Sequence, residues 1–259
     1  MCGSFDHLRF EVPFVRQDQG IRSLHFTHGE VQSSMCVARP DELQVDYTRT
    51  MMSFLLLNPR PRRITMIGLG GGSLAKFCHR HLRCAIMTVV ENNPEVIALR
   101  RQFNIPDDDD RLNVLIDDGA LHVGTAAPGA IDVLLVDGFD HTGQPPQLCS
   151  QAFYDDCFRA LAPGGLLAVN LHVDHPEHDL MVRRITASFA GNAMEMIAGE
   201  KANGIVLAGR DRPVSLEALR NREWASVLGT TARRQLSAEF AQVGWNAHSL
   251  PLPVARQPG

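Results

Sequence analysis

Two aspartates, Asp137 and Asp140, stand three residues apart directly after the apolar run IDVLLV at 131–136. A carboxylate in that place forfeits roughly several kcal/mol of hydration unless it is paired or opens into a cleft. The carboxyl end of a central strand is where open α/β sheets bind ligands, so a site reading outweighs a purely structural one. Upstream, Gly68, Gly70 and Gly72 alternate as GxGxG within IGLGGGS. Glycines there let the backbone turn sharply and approach a ligand, and a helix that follows offers free N–H groups. The dinucleotide pattern GxGxxG is not met, because its last position is Ser73. A tight turn without a ligand is the plainer alternative. Glu91 closes the apolar run TVV, 19 residues beyond Gly72. An acid at that point can accept from both hydroxyls of a ribose, since its two oxygens suit a vicinal diol. The other reading is a surface acid at a strand end. Asp118 and Gly119 follow the next apolar run. The carboxylate can take an adenine amino group and the backbone N–H a ring nitrogen, while Asp118 can equally cap a helix. The two roles are compatible.

These residues need elements to hold them. From residue 63 onward, short apolar runs alternate with amphipathic stretches. Strands are expected at 64–67, 86–90, 113–116, 131–136 and 166–171, and helices at 73–81, 94–103 and 147–161. The last of these helices should end at Pro163-Gly164-Gly165. Strands apolar at nearly every position point to a parallel sheet covered on both faces. Two further strands, 193–197 and 204–208, fit a closing hairpin; 215–243 reads as helical and the last nine residues as a frayed tail. The N-terminal region differs. Alternating runs at 9–12, 21–26 and 30–35, parted by Asp18-Gln19-Gly20 and Thr27-His28-Gly29, read as an antiparallel meander. A helix is expected over 46–57, ended by Pro59 and Pro61. The predicted division is a β-meander at 1–44 and a doubly wound α/β domain at 45–259. The run Asp107–Asp110 reads as a solvated loop.

Composition narrows the function classes. The chain has 259 residues, 44% apolar and 21% charged, enough for one substantial core. A net charge of −4 supplies no positive field toward nucleic acid or anionic lipid, so neither is an expected partner. The strongest apolar run, 51–57, is too short to span a bilayer. The first ten residues hold no apolar h-region, and the six cysteines form no CxxC pair. A cytoplasmic location is the expectation. His172, His175 and His178 are spaced as HxxHxxH, but Pro176 argues against one helix carrying all three, and no metal site is expected.

With these residues in view, the chain resembles the spermidine synthase (polyamine aminopropyltransferase) family, in its divergent bacterial branch, over about 20–210. The stretch GEVQSSM…DELQVDYTRTMM is similar to the family's β-domain end and first helix. The resemblance implies a Rossmann-like, methyltransferase-type sheet with a small N-terminal antiparallel β-domain. It implies Gln32 as a cofactor contact, Glu91 as the ribose acid, and Asp118 with Gly119 as the adenine pair. Asp137 falls at the catalytic aspartate of a DxxDP signature, Asp140 at the amine-binding one, and Tyr47 at a substrate-site tyrosine. A homodimer is implied as well.

The reaction so implied moves an aminopropyl group from decarboxylated S-adenosylmethionine to an amine such as putrescine. The sulfonium's thioether leaves without acid help, whereas the amine is protonated at neutral pH and needs a base. Asp137, with Tyr47, takes that role, and Asp140 anchors the amine by a charge-assisted hydrogen bond. There are departures. Gly71 stands where the family has an aspartate, Thr48 where it has Gln or His, and His141 where it has Pro; Trp245 is the only trace of an aromatic C-terminal signature. Losing the loop aspartate weakens discrimination against ordinary S-adenosylmethionine. A methyltransferase and a non-catalytic nucleoside-binding homologue therefore stay open as alternatives.

Overall fold

The computed structural model describes residues 12–28, 31–140, 143–199 and 203–250, with only the backbone at 244–249. A three-stranded antiparallel sheet opens the chain: β1 (Phe14–Asp18), β2 (Ile21–His25) and β3 (Ser33–Cys36), in that order. Gln19 and Gly20, both at positive φ, join β1 to β2, the two-residue turn whose twist suits a hairpin. Strand β1 begins at Phe14, after Pro13, which cannot donate to a ladder; of the run expected at 9–12, residues 9–11 lie outside the described ones. The third begins at Ser33, and Gly29 and Glu30 are likewise outside.

The helix expected over 46–57 is two helices, α1 (Asp46–Met51) and α2 (Phe54–Leu57). Met52 and Ser53 donate to carbonyls three residues back, which tightens the chain into a turn between them. Strands and helices then alternate: β4 (Arg63–Ile67), α3 (Ser73–His81), β5 (Ile86–Glu91), α4 (Pro94–Ala98), β6 (Leu112–Ile116), α5 (Gly119–Thr125) and β7 (Ile131–Val136). After these come α6 (Gln151–Ala160), β8 (Leu161–His172), α7 (His178–Ser188), β9 (Ala193–Ile197) and β10 (Asn203–Gly209). The chain closes with α8 (Trp224–Val227), α9 (Thr230–Asn246) and β11 (Ala247–Ser249).

Several boundaries differ from the sequence reading. The helix expected to Phe103 stops at Ala98 and continues as turns to Asn104, whose φ of 55° reverses the chain. The helix begun at 147 opens as a 3-10 turn at Pro146–Leu148, and α6 starts after Ser150, whose Oγ accepts from Phe153 N at 3.1 Å. It ends at Ala160, before Pro163, because Leu161 already pairs with Ile131 and the Pro-Gly-Gly segment forms an irregularity within β8. Helix α7 and strand β11 were not anticipated, and α5 only as the helix that Asp118 could cap. The helical stretch from 215 is a 3-10 turn at Ala218–Arg220 followed by α8 and α9. The 251–259 tail lies outside the described residues.

The main sheet has the order β11-β9-β10-β8-β7-β4-β5-β6, parallel from β8 to β6, with β10 antiparallel to both β8 and β9. Alternation along each strand builds two cores. Val133 and Leu135 face the side with α1, α3 and α9, whereas Leu134 and Val136 face α5, α6 and α7. The N-terminal sheet adds Leu24 and Met35 to the first core. Strand order reverses between β4 and β7, so their carboxyl ends open a crevice. Among the described residues no helix is long and apolar enough to cross a membrane.

Two features of this frame yield measurable expectations. At Gly68 (φ 91°) an added Cβ would lie 2.2 Å from the carbonyl oxygen of Asp137, whereas at Gly70 (φ 51°) the nearest atom is 3.8 Å away. Gly68→Ala is therefore expected to cost about 3–5 kcal/mol, from backbone strain plus overpacking, and Gly70→Ala about 1–2, from strain alone. Urea unfolding of both variants would show it, and equal losses would refute the contact. The second feature is Lys76, buried with Nζ donating to Phe103 O at 2.7 Å and to Met35 Sδ at 3.2 Å. Burial, opposed by Asp41, pulls its pKa from 10.5 down to about 8. Between those values the folded chain binds fewer protons than the unfolded one, so this group makes stability rise with pH across that window. The stability difference between wild type and Lys76→Met should change by about 2–3 kcal/mol from pH 7.5 to 10.5; parallel pH profiles would disprove it.

Candidate active site

The carboxyl ends of β4, β5, β6, β7 and β8, with the start of β10, border one cavity of about 970 Å³. That is room for a nucleoside and a second small molecule side by side. Its floor is backbone. Gly68 N donates to Val90 O at 2.8 Å and Asp137 N to Ile67 O at 2.9 Å, so the glycine loop and the Asp137 loop leave the sheet together. Gly68 and Gly70 line the cavity, and Gly72 (φ 68°) begins α3, which starts without a side-chain cap. The first N–H groups of α3 are thus left beside the cavity-lining Ser73 and Leu74. Gly72 is tied to the fold behind it, where a Cβ would meet Ile105 Cγ1 at 2.4 Å.

Glu91 is buried at the end of β5. Its Oε2 accepts from Leu69 N at 2.8 Å and its Oε1 from Asn93 N at 2.9 Å. The carboxylate thus pins the glycine loop while it borders the cavity, a structural task absent from the sequence reading. Burial raises its pKa, against the backbone N–H groups that lower it. Each oxygen retains acceptor capacity beyond the bond described. Asp118 caps α5, its Oδ1 accepting from Leu121 N at 2.8 Å, and with Gly119 it lines the cavity. The cap and a place at the cavity coexist. Gly119 has no room for a side chain, because a Cβ would lie 2.3 Å from Ile67 Cγ2. Gln32, just before β3, lines the opposite wall with Ser33.

Asp137 is only partly buried, yet its carboxylate is held on both sides. Tyr47 Oη, from α1, donates to Oδ2 at 3.1 Å, and Asn170 Nδ2, from β8, donates to Oδ1 at 2.8 Å. Burial raises the Asp137 pKa against these two donors, and burial beside Asp137 pushes the Tyr47 phenol well above its ordinary value. Asp140 lines the same cavity from a short bridge in which its N–H donates to Gly143 O at 2.8 Å. Phe139 meets His172 edge-to-face with ring centroids 5.0 Å apart. A carboxylate that already receives two neutral donors and faces a cavity is equipped to bind a cation and accept a proton from it.

All ten residues singled out in the sequence belong to this neighbourhood: nine line the cavity, and Gly72 sits one residue behind it. Three departures resolve differently. Gly71 does not line the cavity; a Cβ there would meet Ser33 Oγ at 2.5 Å and Phe103 Cδ1 at 3.0 Å. Thr48 is buried at the cavity wall, its hydroxyl donating to Val45 O at 2.5 Å. His141 and the side chain of Trp245 lie outside the described residues. The three histidines separate: His172 ends β8, His175 lies in the turn after it, and His178 begins α7, where it meets Glu195 Oε1 at 2.8 Å. Among the described residues no group of three or more metal-type side chains is assembled. Sequence reasoning missed Asn170 and Asn203. Asn170 had a signal, a lone amide in the apolar run 166–171, of the kind that exposed Asp137. Asn203 had none.

The spermine/spermidine synthase domain matches residues 45–195. A polyamine aminopropyltransferase of Chromobacterium violaceum is 37% identical over 211 residues, 80% of each chain. A probable spermidine synthase of Corynebacterium glutamicum superposes with a TM-score of 0.64, 21% identity and 95% coverage of both chains. The human methyltransferase-like protein 13, in complex with SAH, superposes with a TM-score of 0.61 at 21% identity, covering 82% of this chain and 96% of that one. The last two establish a methyltransferase-type Rossmann-like fold, and the first two matches carry the lineage: the chain belongs to the spermine/spermidine synthase family of transferases.

Proposed function

We propose that the chain transfers the aminopropyl group of decarboxylated S-adenosylmethionine to a small amine such as putrescine. The observation that carries this reading is the charge of the cavity wall. Among the described lining residues are Glu91, Asp118, Asp137, Asp140 and Asp174, with no lysine or arginine. Both substrates of aminopropyl transfer are cations, a sulfonium bearing an ammonium tail and a protonated amine. Ordinary S-adenosylmethionine brings a carboxylate that meets no guanidinium or ammonium among the described lining residues, a mismatch on the order of a few kcal/mol. This balance of charge favours aminopropyl over methyl transfer.

In this reading Glu91, Asp118, Gly119, Gln32 and the glycine loop hold the adenosine, leaving the sulfonium beside Asp137. Asp140 holds the incoming ammonium by a charge-assisted hydrogen bond. Asp137 accepts the proton, its lone pairs aimed by Tyr47 and Asn170, and the freed nitrogen displaces the thioether in line. The C–N bond forms as the C–S bond breaks, the sulfur keeps the electron pair, and neutral methylthioadenosine departs.

The deciding assay supplies putrescine with each sulfonium in turn. Methylthioadenosine formed with the decarboxylated one alone is the expected result; S-adenosylhomocysteine formed from the ordinary one would overturn the proposal. Asp137→Asn should lower kcat by about 10²–10⁴-fold while the nucleoside Kd stays within a few fold, because the adenosine contacts lie elsewhere. Equal loss of nucleoside binding would move Asp137 into the adenosine shell. Since burial raises the Asp137 pKa, the acid limb of the kcat profile should fall above the usual carboxylate range. Its activity is present above that value and lost as pH drops through it. Glu91→Gln should raise the nucleoside Kd about tenfold and lower the melting temperature as well, since Glu91 holds both Leu69 N and Asn93 N. An unchanged melting temperature would remove it from the loop.

A further inference from the structure

The amide of Asn170 has two ends, and which one it turns toward Asp137 matters. Its Nδ2 donates to Asp137 Oδ1 at 2.8 Å, while its own Oδ1 receives Asn203 Nδ2 at 2.9 Å. Its backbone carbonyl receives Gln144 Nε2 at 3.3 Å, and its side chain is buried. Asn203 is the first residue of β10, paired in register with His172 at the end of β8. The antiparallel return of the chain therefore brings it beside Asn170.

We propose that Asn203 is a positioning residue: by donating to Asn170 Oδ1 it keeps the amino end of that amide turned to Asp137, and so keeps Asp137 a proton acceptor. With the amide reversed, its oxygen would sit at hydrogen-bond distance from a carboxylate oxygen. Two acceptors at that separation repel unless a proton lies between them, so the reversed state favours protonated Asp137. A base that already holds its proton cannot take one from the amine. The inference rests on the reading of Asp137 as the base, and extends it to a residue two hydrogen bonds away.

The test titrates the full-length enzyme labelled with carboxyl carbon-13 aspartate. The Asp137 resonance is the one lost in Asp137→Asn. Asn203→Asp keeps the size of the side chain but, once ionised, accepts and does not donate, which draws Asn170 Nδ2 away from Asp137. The Asp137 midpoint should rise by about one pH unit or more, and the acid limb of kcat should move with it at unchanged nucleoside KM. Asn203→Gln, which retains a donor, should return most of that shift. The new carboxylate also acts through space, so the same change is made in an Asn170→Ala background. There the shift should shrink to a small remainder. Tyr47 on α1, Asp140 on the neighbouring loop, His172 at the end of β8, and Glu91 and Asp118 across the cavity are the same in every variant. Their fields cancel in the comparison.

A midpoint that does not move in Asn203→Asp, or a shift of equal size with and without Asn170, would overturn the proposal. Should Asn203→Asp fail to fold, Asn203→Leu replaces it, with a smaller upward shift expected and none refuting. The carbon-13 titration requires no turnover, so it decides on Asn203 even if aminopropyl transfer is not found.

Discussion

A carboxylate at the end of a buried parallel strand has to be reconciled with its surroundings, and much of this molecule is arranged around that demand. Five of the six residues of β7 are packed into the two cores before the chain reaches Asp137. Water reaches the group only from the crevice side, and desolvation alone would favour the protonated form. The fold answers with a phenol from α1 on one oxygen and an amide from β8 on the other. It also brings the glycine loop so close that no side chain fits between Gly68 and the Asp137 carbonyl. The two loops therefore lie against each other, and whatever lies on the glycine loop is placed relative to Asp137 by backbone geometry.

The acids around the crevice share the work unequally. Glu91 spends part of its capacity on backbone N–H groups, and Asp118 spends one oxygen on a helix end. Both are held rigid before any ligand arrives, which reduces the ordering cost of binding. Asp137 differs, since its two partners are side chains from separate elements, and its protonation depends on how those elements meet. The absence of lysine and arginine among the described lining residues leaves the negative field of the cavity uncompensated from within. Such a field concentrates cations and disfavours anions.

Local chemistry in the sequence was enough to mark the principal groups. An acid after a run that is apolar at nearly every position, glycines at alternate positions before an amphipathic stretch, and an acid at the next strand end each violate the ordinary pattern of a strand or helix. Such violations mark a site because burial makes them costly. Strand positions were legible for the same reason, since a fully buried strand must be apolar throughout. Helix ends were less so. The stop of α6 at Ala160 is imposed by the pairing of Leu161 with Ile131, thirty residues away, and overrides the Pro-Gly-Gly signal nearby. The surroundings of Gly71 were illegible on similar grounds, because the direction of a Cβ depends on what packs against it, here Ser33 from the N-terminal sheet.

By itself, then, the sequence determined the order of the parallel strands, the two-sided burial of the sheet and the acids that end its strands, because these follow from composition and period along the chain. The tertiary structure alone decided which groups meet. That Tyr47 and Asn170 meet at Asp137, and that Asn203 backs Asn170, depends on strand order and on β10 returning antiparallel beside β8. These contacts span from 33 to 90 positions of chain, and each is a single hydrogen bond. A pattern with a period can be read locally; a single contact between distant residues has no period, and only the folded chain supplies it.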